Sequence, residues 1–420
     1  MRTLQLFNDS ARKGLQTMLT TRFTALLACA FLLAACPGEP SPSSGTAETA
    51  EADVDSEAER EIVRVAAYNI WELGRDKLDH RDADGQFGSH PQLRSAAEVI
   101  QRVRPQILLL NEIDFDEART VAPDFIERYL RVGQNGQEPI DYPHLFFEPT
   151  NTGVPSGLDL NNDGASDGPD DAYGFGRYPG QYGMALLSQF PIRDQDARTF
   201  RELLWQQMPG NLMPDGNGGR PAFYSPAARE IFRLSSKSHW DVPIEVRGKV
   251  LHILAAHPTP PVFDGDEDRN GRRNHDEIRL FADYLTGGEA ASYIVDDRGV
   301  AGGFPSDASF VLLGDLNADI YSDQEPPTGQ PAIAQLLDHP RVQDPRQKGS
   351  GELAEERPYA GPKELRTAPY GRIDYALPSR DLEVQDGGVF WPASDDPLYR
   401  LVSGEERGSD HMLVWVDLAL

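Results

Sequence analysis

The chain has 420 residues, of which 40 are Lys or Arg and 67 are Asp or Glu, so its formal net charge is −27. Apolar residues make up 39% and charged residues 25%, a composition that fits a globular protein and excludes a disordered, collagen-like or coiled-coil chain. The acidic balance excludes a broad basic surface that binds nucleic acid by counterion release, although one local positive groove is compatible with it.

The first 36 residues are expected to be an export signal rather than part of the fold. Basic residues precede an apolar stretch, residues 23–35, that is too short to span a bilayer. The stretch ends with the sequence LLAAC, which resembles the lipobox of bacterial lipoproteins, and Cys36 would then carry a lipid. The alternative is an ordinary secretory signal in which this cysteine occurs by chance.

The only cysteines are Cys29 and Cys36, so the domain that follows has no disulfide and no cysteine-based zinc site. Residues 37–60 are rich in Pro, Ser, Ala, Thr and acidic residues, which predicts a flexible acidic tether. We therefore expect an exported protein that the N-terminal lipid alone holds at a membrane, on the periplasmic or cell-surface side. Nothing in the sequence indicates an oligomer.

From residue 61 onward, strand-length apolar runs alternate with helical segments. Helices are predicted at about 91–104, 123–131 and 274–286. The apolar runs require cover on both faces, which predicts an α/β sandwich that forms one domain over residues 61–420. Two insertions rich in Gly, Pro, Asp and Asn, at about 151–181 and 201–230, are expected to be functional or mobile loops.

The most informative polar residues lie at the ends of these apolar runs. Each run carries a carboxylate, an amide or an imidazole at one end, and the strands of a sheet can bring such ends together although they are far apart in sequence. These residues are Asn69, Glu112, His257, Asp315, Asn317, Asp374, Asp410 and His411.

The chemistry of this set suits a hard divalent cation. Its carboxylates and amides offer oxygen atoms, which Mg²⁺ or Mn²⁺ prefers as ligands. Two histidines are too few for a closed zinc site, and the neighbouring carboxylates could orient them. Taken singly, each feature also has a structural interpretation, because a Gly-Asp turn after a buried strand or an Asp-His pair before one is common in folds without catalysis.

Together and in this order, the motifs resemble the endonuclease/exonuclease/phosphatase superfamily, which shares the fold of deoxyribonuclease I. The resemblance covers residues 62–420 and rests on the series GDLN, RIDY and SDH, with QYGMALLSQFPI similar to a central strand of the family. It implies a four-layer α/β sandwich of two packed mixed β-sheets flanked by helices. One departure is Asn111, where the family usually has glutamine, but the amide is retained.

The resemblance also implies a role for each strand-end residue. Asn69, Glu112 and Asp410 would form the metal site, with Glu112 as a direct ligand. His257 would contact the scissile phosphate, and Asn317 would help to hold it.

Three further residues would handle protons and developing charge. Asp315 would orient or deprotonate the attacking water, and Asp374 would orient His411. His411 would stabilise the pentacoordinate phosphorane or protonate the leaving oxygen. General chemistry agrees, because a phosphodiester repels anionic nucleophiles until a cation neutralises it, and a base and an acid need separate environments.

Two acidic segments match the calcium-loop pattern D-x-[DN]-x-[DN]-G-x5-E. The segment DEDRNGRRNHDE fits in full, with candidate ligands Asp266, Asp268, Asn270 and Glu277. The segment DLNNDGASDGPD ends in Asp rather than Glu, and its candidate Ca²⁺ ligands are Asp159, Asn161, Asp163, Asp167 and Asp170. The alternative for both is a solvated acidic loop, and arginines in the first segment could instead hold substrate phosphate.

Four more residues are candidate substrate contacts. Arg177 and Tyr182 belong to the run YGFGRYPGQY, which could line a groove by charge and stacking or could pack an ordered loop. Arg273 lies shortly after the His257 loop and could bind phosphate. Arg372 could bind phosphate or form a salt bridge to the metal-site carboxylates.

The sequence thus predicts a lipid-anchored, metal-dependent phosphoesterase, most naturally a phosphodiesterase or nuclease. Its substrate could be a nucleic acid, a nucleotide, or a lipid or sugar phosphate, and a phosphomonoesterase is an alternative. A calcineurin-type phosphatase is disfavoured, because it needs a GNH[DE] motif and several metal-binding histidines. A calcium-dependent surface module without catalysis would be favoured if strand-end residues were missing, and none is.

Overall fold

The computed structural model describes residues 61–216, 222–322 and 328–420. The predicted signal segment, Cys36 and the tether at 37–60 lie outside the described residues. Within the described part of the chain, no helix has both the length and the apolar character needed to cross a membrane.

The elements alternate along the chain. The strands are β1 (Ile62–Leu73), β2 (Ile107–Ile113), β3 (His144–Phe146), β4 (Gly183–Ser188), β5 (Arg198–Thr199), β6 (His239–Val246), β7 (Lys249–Ala256), β8 (Ser309–Asp315), β9 (Asp374–Pro378), β10 (Glu383–Val389) and β11 (Val414–Ala419). The α-helices are α1 (Arg75–Leu78), α2 (Pro91–Val103), α3 (Val121–Phe125), α4 (Pro226–Ile231), α5 (Arg269–Thr286) and α6 (Ala334–Leu337). A π-helical turn, Ile126–Leu130, extends α3.

Two mixed sheets form the centre of the domain. The six-stranded sheet has the order β10-β11-β1-β2-β4-β3, and the five-stranded sheet has the order β5-β6-β7-β8-β9. Only β1 with β2 and β7 with β8 pair in parallel, and the other pairs are antiparallel. The carboxyl ends of two parallel pairs are therefore available to carry functional side chains.

Alternation along β1 shows how the layers are built. Val65 and Ala67 pack into the core between the two sheets, whereas Ala66 and Tyr68 face the core beneath α2 and α3. A third core lies between the five-stranded sheet and α5. The predicted four-layer α/β sandwich is confirmed, because β1 is apolar on both faces and each face is covered.

The helix predicted at 91–104 is confirmed as α2. Pro91 occupies its first turn, where a missing N–H costs nothing, and Arg104 ends it in the left-handed conformation. The prediction at 123–131 corresponds to α3 and its π-helical extension. The helix predicted at 274–286 begins five residues earlier, at Arg269.

That earlier start contradicts one of the two calcium-loop predictions. Asn270 and Glu277 lie inside α5, so the segment 266–277, which also contains Asp266 and Asp268, is not a twelve-residue loop. The Glu277 carboxylate is fully buried and accepts backbone N–H groups from Ser236 at 2.6 Å and from Thr259 at 2.7 Å. It braces two loops of the fold and is not placed to coordinate a cation beside Asp266.

The interpretation of Arg273 as a phosphate contact is also wrong. Its guanidinium group is buried and donates to the carbonyl oxygens of Leu234, Tyr173 and Arg233 at 2.6–2.9 Å. The five N–H groups of an arginine can satisfy several orphan carbonyls at once. Arg273 therefore stabilises the loop that precedes β6.

His239, at the start of β6, is buried and neutral. Its Nε2–H donates to the Glu277 carbonyl oxygen at 2.9 Å, so Nδ1 accepts from the Ser235 hydroxyl at 2.7 Å. Burial lowers the pKa of His239 from 6.5 to about 4, with the nearby Glu277 opposing the shift. Protonation in this range therefore favours the unfolded chain.

We expect His239 to make the protein less stable as the pH falls from 6.5 towards 4. Its contribution is fully present above the unfolded pKa and amounts to about 3 kcal/mol, lost as pH falls through the folded pKa. In His239→Gln, whose amide can still donate to the Glu277 carbonyl, this part of the pH dependence disappears. Urea unfolding of both proteins between about pH 7.5 and pH 5 measures the effect, and a constant difference between the two would contradict it.

Candidate active site

The strand-end residues come together where the two sheets meet. Asn69 and Glu112 lie towards the carboxyl ends of the parallel strands β1 and β2. In the other sheet, His257 directly follows β7, and Asp315 is the last residue of β8. Because β9 runs antiparallel to β8, its first residue, Asp374, pairs directly with Asp315.

Two amide side chains connect the sheets at this junction. Asn69 Nδ2 donates to Glu112 Oε1 at 3.1 Å and to Asp315 Oδ2 at 3.0 Å. Asn111 Oδ1 accepts the backbone N–H of Asp315 at 3.1 Å. The chain retains an amide at position 111, and this amide fixes the backbone of Asp315 in the second sheet.

Asp374 holds His411 in one orientation. Nδ1 of His411 lies 3.0 and 2.9 Å from the two carboxylate oxygens of Asp374. The segment is fixed further by Ser409, whose hydroxyl accepts from His411 N at 3.0 Å and donates to Asn69 O at 2.7 Å. Burial alone would lower the pKa of His411, but Asp374 and Asp315 outweigh it and raise this pKa well above its usual value. His411 is therefore a cation, and Asp374 engages its Nδ1.

Asp315 is buried at the centre of the cluster. Burial raises its pKa to about 7, and the positive charge of His411 opposes this shift. Oδ1 of Asp315 accepts the backbone N–H of Asn317 at 3.0 Å, and Nδ2 of Asn317 donates to the Pro258 carbonyl at 3.2 Å. A carboxylate with a pKa near neutrality can accept a proton during a reaction and release it again.

His257 lies beside Asp315 in a different protonation state. Its Nε2 is 3.4 Å from Asp315 Oδ2, and its buried Nδ1 has no hydrogen-bond partner among the described residues. Burial and the positive charges of Lys237 and His411 lower the pKa of His257 well below its usual value. The two histidines of the site thus differ in protonation state: His257 is neutral and His411 is cationic.

Backbone strain is concentrated around these residues. Register shifts interrupt β1 after Asn69 and β2 after Asn111, as expected for bulges that re-aim side chains. Five non-glycine residues here have φ between 50° and 61°, a region that costs energy and is typical of functional sites: Trp71, Glu72, Glu112, Tyr182 and Asn317.

The charge balance at the centre fits a divalent cation. The carboxylates of Glu112, Asp315, Asp374 and Asp410 lie near the side chains of His411 and Lys237, and Lys237 also interacts with the buried carboxylate of Glu277. Burial raises the pKa of Glu112, and Asp410 raises it further. Carboxylates outnumber cationic side chains at this site, which is rich in oxygen ligands, and Mg²⁺ or Mn²⁺ would balance that excess.

Among the described residues, one cluster of three side chains has its ligand atoms within 4.8 Å of one another, namely Asp315, Asp374 and His411. Nδ1 of His411 is already engaged by Asp374, and imidazolium is not a metal ligand. The oxygen-only set of Asn69, Glu112 and Asp410 therefore suits a hard cation better than the cluster that contains His411.

Lys237 is a site residue that the sequence did not reveal. The hairpin β6–β7 pairs His239 with Ala256, which brings the segment just before β6 next to His257. Lys237 is buried, and burial lowers its pKa while Glu277, Glu112 and Asp315 oppose the shift. The one sequence signal was a lysine just before a strand whose alternate residues, Trp240, Val242, Ile244 and Val246, are apolar.

The remaining candidate contacts divide into two groups. Tyr182 belongs to the site, because its hydroxyl donates to Glu72 Oε1 at 3.1 Å and its ring stacks with Phe175. Arg177 is exposed near it. The prediction of a phosphate contact was wrong for Arg372, which is buried and forms a bidentate ion pair with Asp344 at 2.8 and 2.5 Å.

A cleft of about 720 Å³ lies beside the site, and Glu72 and Arg177 are among the residues that line it. Glu72 connects the cleft wall to the site, because its backbone N–H donates to Glu112 Oε2 at 3.2 Å. Acidic groups outnumber basic ones in its wall: Glu72, Asp76, Asp114, Asp116 and Glu117 against Arg75, Arg177 and Arg201. The cleft is large enough for part of a small organic substrate.

The other predicted calcium segment, residues 159–170, is a loop as expected, apart from a short 3-10 turn at its end. Its carboxylates accept N–H groups of the loop itself. Asp159 accepts from Asp163 at 3.2 Å and from Gly164 at 2.9 Å, and Asp163 accepts from Ala165 at 2.8 Å. Calcium binding by this loop stays a prediction.

Comparison with known proteins agrees with this geometry. The sequence profile of the Endonuclease/Exonuclease/phosphatase family matches residues 66–411. The chain therefore belongs to the endonuclease/exonuclease/phosphatase family, as the strand-end motifs predicted. No curated protein sequence matches the chain significantly.

Solved structures of similar proteins come from several bacteria. An endonuclease/exonuclease/phosphatase from Beutenbergia cavernae is 20% identical with a TM-score of 0.49, and the match covers 86% of this chain and 72% of that one. A sphingomyelinase C from Streptomyces griseocarneus is 14% identical with a TM-score of 0.41, covering 85% and 99%. A mannosyl-6-phosphatase from Bacteroides thetaiotaomicron is 14% identical with a TM-score of 0.40, covering 85% and 100%.

We expect Asp410→Asn to separate carboxylate repulsion from metal binding. Without metal, removing one negative charge near Glu112 relieves repulsion and raises the melting temperature by about 2 °C. With Mg²⁺, the variant gains less stabilisation than the unchanged protein, because a ligand is lost. Thermal unfolding in EDTA and in Mg²⁺ measures both effects, with the exposed substitution Glu405→Gln as the control. Equal stabilisation of Asp410→Asn and the unchanged protein by Mg²⁺ would contradict the assignment.

Proposed function

We propose that this protein is a divalent-metal-dependent hydrolase that cleaves P–O bonds of phosphate esters, and that phosphodiesters are its main substrates. One observation carries the proposal. Asp315 Oδ2 lies 3.8 Å from His411 Nδ1, so a carboxylate and an imidazolium border the same buried space. Hydrolysis of a phosphate ester uses such a base to deprotonate water and such an acid to protonate the leaving oxygen.

Asn69, Glu112 and Asp410 are the residues that would hold the metal ion. When bound, the ion neutralises the phosphoryl charge that would otherwise repel a nucleophile. The chain contributes the geometry of the ligands. The Asn69 amide fixes one oxygen of Glu112, and the Glu72 backbone N–H fixes the other.

Asp315 acts as the base in this proposal. Its raised pKa suits proton removal from water at neutral pH, since a much more acidic carboxylate would be a weak base. The donors of Asn69 and Asn317 hold both of its oxygens, which fixes the orientation of the carboxylate. Removing the carboxylate removes both the base and the contact between the sheets.

His411 acts as the acid. Asp374 occupies Nδ1 and stabilises the cation, so Nε2–H is left to protonate the leaving oxygen or to stabilise charge on the phosphorane. The neutral His257, the amide of Asn317 and the ammonium group of Lys237 surround the same space and would contact the non-bridging phosphoryl oxygens. A buried ammonium group beside an anionic substrate interacts far more strongly than an exposed one.

The acidic wall of the cleft supports a preference among substrates. Its five carboxylates and three guanidinium groups disfavour a long polyanion, which would place further phosphates there. We therefore favour a diester whose second substituent is small and carries no extra phosphate, such as a lipid head group or a single nucleoside.

We also propose that the protein is exported and anchored by a lipid on Cys36. This part of the proposal rests on the sequence LLAAC and on the acidic tether at 37–60. An anchored enzyme of this kind would act on soluble or membrane-bound phosphate esters outside the cytoplasm.

We expect Mg²⁺-dependent release of nitrophenol from bis(p-nitrophenyl) phosphate, abolished by EDTA. Asp315→Ala and His411→Ala should each lower kcat at least ~100-fold, because each removes a proton-transfer group. His144→Ala, at the sheet edge in β3, is the matched control and should retain full activity. Full activity in either site variant, or undiminished activity in EDTA, would refute the proposal. Plasmid DNA, RNA, nucleotides, sugar phosphates and phospholipids then define the substrate class.

A further inference from the structure

Tyr370 lies in a tight turn that is attached to the active site. The turn 368–371 closes through a hydrogen bond between its end residues at 3.2 Å, with proline at its second position. Just before it, the Thr367 carbonyl accepts the backbone N–H of Met412 at 2.7 Å. The turn is therefore fixed to the segment that carries His411.

The other end of the turn is equally constrained. The Thr367 hydroxyl accepts the backbone N–H of Asp374 at 2.9 Å. Gly371 packs so closely that a Cβ atom there would lie 2.4 Å from Asp319 Oδ2, and the same oxygen accepts the backbone N–H of Arg372 at 3.0 Å. Hydrogen bonds of Thr367 and Asp319 thus fix the backbone on both sides of Tyr370.

The side chain of Tyr370 joins two environments. The residue is 55% exposed, yet its hydroxyl oxygen lies 3.0 Å from His411 Nε2. Burial raises the pKa of this hydroxyl, and Asp315 and Asp410 raise it further. The hydroxyl therefore reaches into the acidic centre and keeps its proton, while much of the ring is left to solvent.

The hydroxyl occupies a position that a substrate oxygen would need. Because Asp374 engages Nδ1, Nε2 is the nitrogen of His411 that can reach a substrate, and in this structure it lies within hydrogen-bond distance of the Tyr370 hydroxyl. An anionic phosphoryl oxygen is a stronger acceptor than a phenol oxygen and would replace it. The displaced hydroxyl would then have the same phosphoryl group within reach of its own O–H.

We propose that Tyr370 is a further catalytic residue, whose hydroxyl donates a hydrogen bond to the phosphoryl oxygen that His411 contacts. This inference rests on the proposed phosphoesterase function. Two donors on one oxygen would share the charge that develops there in the transition state, and Tyr370 would add the second donor without adding charge.

Tyr370→Phe tests the proposal, since it removes only the hydroxyl and keeps the ring. Tyr399→Phe is the matched control, because its hydroxyl binds the distant Glu352 carbonyl at 3.2 Å. We expect kcat for bis(p-nitrophenyl) phosphate with Mg²⁺ to fall about tenfold or more in Tyr370→Phe, with KM changed less than about threefold. The dissociation constant of inorganic phosphate in Mg²⁺, measured by calorimetry, should rise about fivefold. The control should match the unchanged protein in both measurements.

The outcomes distinguish a donor role of Tyr370 from mere obstruction of the site and from failure of the proposed phosphoesterase function. Unchanged kcat and unchanged phosphate affinity in Tyr370→Phe would overturn the proposal, and tighter phosphate binding would show that the hydroxyl only obstructs the site. Loss of kcat in His411→Ala with full activity in Tyr370→Phe would contradict the role of Tyr370 and leave the phosphoesterase function intact. If the unchanged protein hydrolyses no ester, phosphate affinity still decides for Tyr370, and failure to bind phosphate would overturn its role.

Discussion

The central constraint on this structure is the burial of several carboxylates where two sheets meet. Glu112, Asp315 and Asp374 would repel one another in a low-dielectric interior, and burial would drive protons onto them. The fold offsets part of this cost with the His411 cation and the buried Lys237. The rest remains as an excess of negative charge, which a bound divalent cation would balance.

Much of the surrounding structure serves to hold these groups in place. The amides of Asn69 and Asn111 hold the two sheets together at the site, and Glu277 binds the loops that precede β6 and follow β7. Positive φ angles at residues such as Glu112 store strain that regular strands would avoid. Rigid support of this kind fits an active site in which small displacements of the acid or the base would lower the rate.

The sequence predicts the sandwich and the convergence of the strand ends, because apolar runs specify strands and strands carry their end residues to one edge. Prediction from the sequence fails where a local pattern of residues fits one structure and the surrounding fold imposes another. Glu277 fits a calcium loop by spacing, yet the segment from residue 269 is an amphipathic helix. Arg273 and Arg372 resemble phosphate contacts in the sequence. In the structure, Arg273 donates to buried backbone carbonyls and Arg372 forms an ion pair with Asp344. Sequence motifs could not identify Tyr370 as a site residue, since its position depends on a turn that residues distant in the sequence hold in place.

The most direct test of this constraint is anomalous diffraction from crystals grown with Mn²⁺. The carboxylate excess predicts one strong peak within about 2.5 Å of an oxygen of Glu112 and next to Asp410, with His411 free of the ion. A site left empty at saturating Mn²⁺, or an ion found only in the acidic loop at 159–170, would contradict the claim that the buried carboxylates exist to bind a cation.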